Sequence, residues 1–153
     1  MATYAKSTDV SPERSRDEII ATLQRYGCIK FGFMVDGERG VSVVQFEFKN
    51  RPVRLSLQKP TEANDQMKQR AIETRRSRKP ADMLEQTHRQ RWRALSLYVK
   101  AICEAIEEQI VTVDQAFLPF IVLPNNQTVA EWAAPQLAQF ALEGKNPPLL
   151  PGG

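Results

Sequence analysis

DMLEQTHRQRWRALSLYVKAICEAIEEQ, residues 82–109, decides how the rest of the chain can fold. Leu84, His88, Trp92, Leu95, Val99, Ile102 and Ile106 recur at steps of three and four, so a helix places them on one face. Asp82, three residues ahead of Glu85, has the form of a capping box, and Pro80 is expected to keep the helix from starting earlier. The predicted helix has about 27 residues and a length of about 40 Å. Its charges run against the helix dipole. Arg89, Arg91, Arg93 and Lys100 occupy the first two-thirds and Glu104, Glu107 and Glu108 the C-terminal end, although the dipole favours the opposite order by a few tenths of a kcal/mol per charge. Either an anionic partner meets the N-terminal half, or these are exposed charges whose order costs little.

Working back from this helix, Ser11-Pro12-Glu13 starts another, with Ser as N-cap, Pro at the first helical position and an acid in the first turn. Ile19, Ile20, Leu23 and Tyr26 form its apolar stripe, and Gly27 ends it. The period then changes to two. Ile29, Phe31, Phe33 and Val35 alternate with Lys30, Gly32 and Met34; after the turn at 36–40, Val44, Phe46 and Phe48 alternate with Gln45, Glu47 and Lys49. Past Asn50-Arg51-Pro52, Val53, Leu55 and Leu57 alternate with Arg54, Ser56 and Gln58. This is a three-stranded antiparallel meander with one apolar face, and the two helices are its cover. Downstream, Thr112 to Gln115 opens a short helical turn toward Phe117, Pro119 to Leu123 reads as extended and buried, and Thr128 with Glu131 forms a second capping box. The last helix carries Val129, Trp132, Leu137, Phe140 and Leu142, is interrupted by Pro135 and closes at Gly144. The predicted fold is therefore α+β in a single domain spanning residues 1–153. It comprises a flexible arm (1–10), a basic mobile insertion (58–81), a C-terminal helical extension and a Pro/Gly tail (145–153).

With 42% hydrophobic and 25% charged residues the composition is that of an ordinary globular domain. The net charge of +3 is unevenly spread: residues 66–93 hold nine basic side chains against three acidic ones. A mildly acidic body with one basic segment suits an anionic partner, either nucleic acid or an acidic protein. No apolar run is long enough for a membrane span, and the N-terminus lacks the apolar core of a signal peptide. Cys28 and Cys103 have no metal-ligand spacing and are expected to be reduced, buried thiols in the cytoplasm. His88 is the only histidine, which leaves little material for a zinc site or a histidine-based triad. No motif calls for a cofactor.

Three blocks, VSPERSRDEIIATLQRYG, RQRWRALSLYVKAICEAIEEQI and FLPFIVLPNNQTVAEW, together resemble a group of small uncharacterised proteins encoded by bacteriophages and prophages. The resemblance covers most of the chain, with RQRWRAL and IVLPNNQTV its most specific parts. It implies a phage origin and expression in a bacterial cytoplasm, and carries no chemistry with it.

Three functional readings follow. In the leading one, a non-enzymatic phage accessory protein binds nucleic acid in replication or recombination. Arg75, Arg76, Arg78, Lys79, Arg89, Arg91 and Arg93 contact phosphates, and Trp92, set among arginines, either stacks on an unpaired base or belongs to the core stripe with His88 and Leu95. The order helix, three strands, helix is shared with double-stranded-RNA-binding domains, an analogy of fold alone. In the second reading the same charged surface binds a host protein such as a defence factor, and the apolar last helix leaves a homodimer open. In the third, Glu47-Phe48-Lys49 with Asp36 and Glu18 is similar to the acidic-plus-lysine signature of the PD-(D/E)XK nucleases, in which carboxylates hold Mg²⁺. Here Asp36 follows Val35 where a proline is typical, and it falls one strand early.

Overall fold

The computed structural model describes residues 8–59 and 80–144. Helix α1 (Pro12–Arg25) starts and stops where its local chemistry directs. The Ser11 hydroxyl accepts from the Arg14 N–H (3.2 Å). At the other end, the N–H groups of Gly27 and Cys28 reach back to the carbonyls of Gln24 (3.0 Å) and Leu23 (2.9 Å). That pair of bonds requires a left-handed residue between helix and strand, and Gly27 supplies it at φ 88°.

Strands β1 (Lys30–Asp36), β2 (Val41–Phe48) and β3 (Arg51–Gln58) form an antiparallel sheet in that spatial order. Phe31 faces Phe46, Phe46 faces Val53, and Phe33, Val44 and Leu55 make a second row. The alternation therefore places Phe31, Phe46, Phe48 and Leu55 on one side, as the sequence predicts. The β2–β3 turn is two residues long, with Lys49 (φ 45°) and Asn50 (φ 62°) both left-handed, the geometry that matches the twist of the strands.

Helix α2 (Pro80–Glu107) lies over this face beside α1. Ile19 and Leu23 from α1, Trp92, Val99 and Cys103 from α2, and Val44, Phe46, Phe48, Val53 and Leu55 from the sheet make the core. Burial, with the nearby Cys28 contributing second, pushes the Cys103 thiol up to about 11; both cysteines are free, buried thiols.

Several expectations are corrected. Helix α2 starts at Pro80, as expected, since a proline without an N–H suits the first turn; Asp82, expected as the N-cap, instead lies inside the helix. The helix stops at Glu107, closed by bonds from Gln109 to Ile106 (3.1 Å) and from Ile110 to Ala105 (3.0 Å), with Gln109 left-handed where glycine is usual. Gln58 belongs to β3, and Pro80 and Ala81 to α2, so only residues 60–79 of the expected insertion lie outside the described residues, as do 1–7 and 145–153. The end of the N-terminal arm is tied down, because Gln86 Nε2 donates to the Thr8 carbonyl (3.0 Å). Ile29 and Val35 share the parity of the core face yet are exposed.

After α2, Thr112 and Gln115 form a reciprocal cap for α3 (Val113–Phe117). Phe117 is fully buried, its ring 5.6 Å from Phe46 and 5.5 Å from Phe48. Leu118–Phe120 is a 3-10 turn, which suits the fixed φ of Pro119, so the expected buried, extended run shrinks to Ile121–Val122. Ile121 bridges Val53, and the Val122 N–H donates to the Pro52 carbonyl (2.8 Å), extending the sheet by a fragment beyond β3. Helix α4 (Val129–Glu143) has the predicted Thr128–Glu131 capping box and a left-handed Gly144 at its end. None of its residues is buried; Trp132, Leu137, Phe140 and Leu142 all face outward.

Candidate nucleic-acid interface

The arginines of α2 are built into the packing. Arg89 pairs with Glu85 one turn back (2.9 Å). Arg93 pairs with Glu18 of α1, whose other oxygen lies 3.9 Å from Arg14, and the Ser96 hydroxyl donates to the same carboxylate (3.4 Å). Arg91 donates to the carbonyl of Gln58, the last residue of β3. Their position in the N-terminal half of the helix, unfavourable for its dipole, is where α1 and the end of β3 can be reached. Each exposed ion pair is worth at most about 1 kcal/mol, so they set register more than they supply stability.

Trp92 is 2% exposed and takes the core assignment. Phe33 lies 6.3 Å from its ring, His88 meets it edge-on at 6.4 Å, and the Arg16 guanidinium sits 5.5 Å above its face. With so little of the indole exposed, no base can stack on it in this conformation. Arg75, Arg76, Arg78 and Lys79 lie outside the described residues.

A feature not read from the sequence is the convergence on His88. Arg16 from α1, Lys59 from the end of β3 and Arg91 from α2 all lie near enough for their charges to act on the imidazole. Lys59 is held there by its N–H, which donates to the Gly40 carbonyl (2.6 Å). Burial first, then Lys59, hold the His88 pKa below its ordinary value, with Glu13 opposing, and its buried Nδ1 finds no hydrogen-bond partner among the described residues. The spacing of Arg89, Arg91 and Arg93 pointed to α2 alone. No local signal could have brought in Arg16 and Lys59, which arrive by tertiary packing.

His88 gives a test of this arrangement. Its folded-state pKa lies below the unfolded value of about 6.5, so below that pH the unfolded chain binds more protons and stability falls. Stability measured by urea titration is expected to decline between pH 7 and 5 in the parent, and to decline less in His88→Leu. Equal pH slopes in the two proteins would show that His88 is not held neutral.

The carboxylates of the nuclease reading do not share a site. Asp36 caps the turn after β1 by accepting from the N–H groups of Glu38 and Arg39. Glu47 pairs with Lys30 (3.1 Å) at the opposite end of β1, about 20 Å away along six residues of strand. Glu18 is held by Arg93, and Lys49 lies in the hairpin turn. Among the described residues no group of three or more His, Cys, Asp or Glu is placed to hold a metal ion, and no helix is long and apolar enough to cross a membrane. No family model, curated protein or solved structure matches the chain.

Proposed function

We propose that this is a non-enzymatic nucleic-acid-binding accessory protein of a phage or prophage, working in the bacterial cytoplasm in replication or recombination. The observation that carries the reading is the meeting of Arg91, bonded to the Gln58 carbonyl at the end of β3, with Arg16, set over the Trp92 ring that His88 also contacts, next to Lys59. It lies beside Gln58 and Lys59, where β3 ends, and the sequence that follows carries Arg75, Arg76, Arg78 and Lys79. A phosphate backbone crossing that point would be met by cations from three elements. The resemblance of RQRWRAL and IVLPNNQTV to phage-encoded proteins supports the biological setting.

The test is oligonucleotide binding across a range of salt. If phosphate neutralisation drives association, log affinity falls linearly with log salt by about 0.7–0.9 per phosphate contacted. Replacing Arg75, Arg76 and Arg78 by Ala is expected to flatten that slope by roughly 2 to 3 and to weaken all sequences alike. As the only histidine, His88 gives an assignable imidazole proton resonance, and its pKa rises if an anion docks beside it. The reading fails if the parent binds no oligonucleotide at low salt, or if the folded triple variant keeps its slope.

The exposed apolar side chains of α4 favour a second reading, in which the chain binds a host protein. Capture from host lysate with and without nuclease treatment separates the two, since a specific protein that stays bound after digestion and is lost on Trp132→Ser belongs to the second.

A further inference from the structure

Among the described residues, β1 is unpaired along its whole outer edge. On the β3 side Ile121 and Val122 already bridge to Val53 and Pro52, and the Arg51 and Arg54 side chains are tied to Asp114 and Asn126. On the β1 side no strand pairs among the described residues. There the apolar side chains are uncovered: Ile29 is 85%, Met34 67% and Val35 64% exposed. Proteins usually protect such an edge with a charge pointing inward, a proline or a bulge, and KFGFMVD has none in its centre.

We propose that β1 pairs antiparallel with β1 of a second copy, about a twofold axis through Phe33, to make a continuous six-stranded sheet. The strand is self-complementary in that register. Lys30 falls opposite Asp36 of the other copy at both ends, Phe31 opposite Val35, and Gly32 opposite Met34. The charges therefore match without any change in the strand, and Lys30 and Asp36 would join the Lys30–Glu47 and Asp36–Arg39 pairs of each copy into one network. Size matches as well. A Cβ on Gly32 would meet nothing within 4 Å, which leaves room for the exposed Met34 of the other copy. Ile29, one residue before the strand, falls beside Gly37, which is equally open. Paired residues have the same parity, so like faces join: Phe31 and Val35 extend the apolar side, and Lys30, Gly32, Met34 and Asp36 extend the outer side. A register slip of one residue would set apolar against outer faces. The two helical layers, with their arginines, then lie on the same side of the joined sheet.

A seven-residue edge buries less than the roughly 800 Å² per partner of a standard interface, so a reversible dimer is expected. Sedimentation equilibrium from micromolar to millimolar protein is expected to show monomer–dimer exchange. Val35→Lys, which sets a charge against Phe31 of the other copy, is expected to weaken it at least tenfold while the circular dichroism of the monomer is unchanged. An independent reading uses an equal mixture of Gly32→Cys and Met34→Cys proteins under mild oxidation. A disulfide between the two different variants is expected to exceed those between identical ones, and this decides the matter if Val35→Lys does not fold. A monomer at millimolar concentration overturns the proposal. So does a dimer that is unaffected by Val35→Lys, or one that gives no preference for the mixed disulfide, since it would be held by another face such as α4.

Discussion

Trp92→Ala is expected to lower the unfolding free energy by about 3–5 kcal/mol, the cost of emptying a large buried aromatic site. The indole lies under the Arg16 guanidinium and against Phe33 and His88, so the vacated space is bordered by α1, β1 and α2 together and cannot close by a shift of one element. Domains of this size have a total stability of about 5–15 kcal/mol, so the variant would sit near the edge of folding. Urea titration followed by circular dichroism measures the loss. Trp132→Ala is the internal control: that ring is on the exposed side of α4, and its loss is expected to stay within about 0.5 kcal/mol. A Trp92→Ala protein that kept its stability but lost affinity for single strands would return Trp92 to the stacking role.

Phe117→Ala is expected to be comparably severe, again about 3–5 kcal/mol. Phe117 makes an edge-on contact with Phe46 and a tilted one with Phe48, and such aromatic pairs add about 0.5–1.5 kcal/mol beyond burial. It is fully buried against the sheet, so its removal is also expected to free the amides of α3 and of Ile121–Val122 for hydrogen exchange. Ending the chain after Thr128 removes α4, none of whose residues is buried, and is expected to move the urea midpoint little. If truncation proved as costly as Phe117→Ala, α4 would be part of the folded core and unsuited to a partner.

What could be read in the sequence was what local chemistry decides. Ser11, Pro12 and Gly27 marked both ends of α1 because a side-chain cap, a missing N–H and a positive φ are each properties of one residue. Alternation fixed the inner face of the meander, because a strand has only two sides. The same alternation could not tell that Ile29 and Val35 would be left bare, since coverage depends on where helices from elsewhere in the chain stop. Trp92 shows the limit at the candidate site. Its arginine neighbours suggested a nucleic-acid surface, yet on a helix adjacent residues point about 100° apart, and the stripe with His88 and Leu95 was the better guide. The Arg93–Glu18 pair joins residues 75 positions apart, and the Arg16–Lys59–Arg91 cluster joins three elements; neither has a local signature. Phe117 was visible only as an aromatic one turn beyond a capping threonine.

The order of the elements has a consequence for the chain as it is made. Residues 30–58 complete the meander, but Trp92, Val99 and Cys103, which cover it, are encoded later, Cys103 by 45 positions beyond Gln58. At a synthesis rate of about 5–20 residues per second, that gap lasts about 2–9 s. A hairpin closes in microseconds, so β2 and β3 can join around the Lys49-Asn50 turn long before their roof exists. During that interval α1 is the only cover already made, and Phe46, Phe48 and Leu55 stand beside a bare strand edge on every ribosome translating the message. The nascent chain, more than the finished one, is therefore where this apolar face stands open to other molecules.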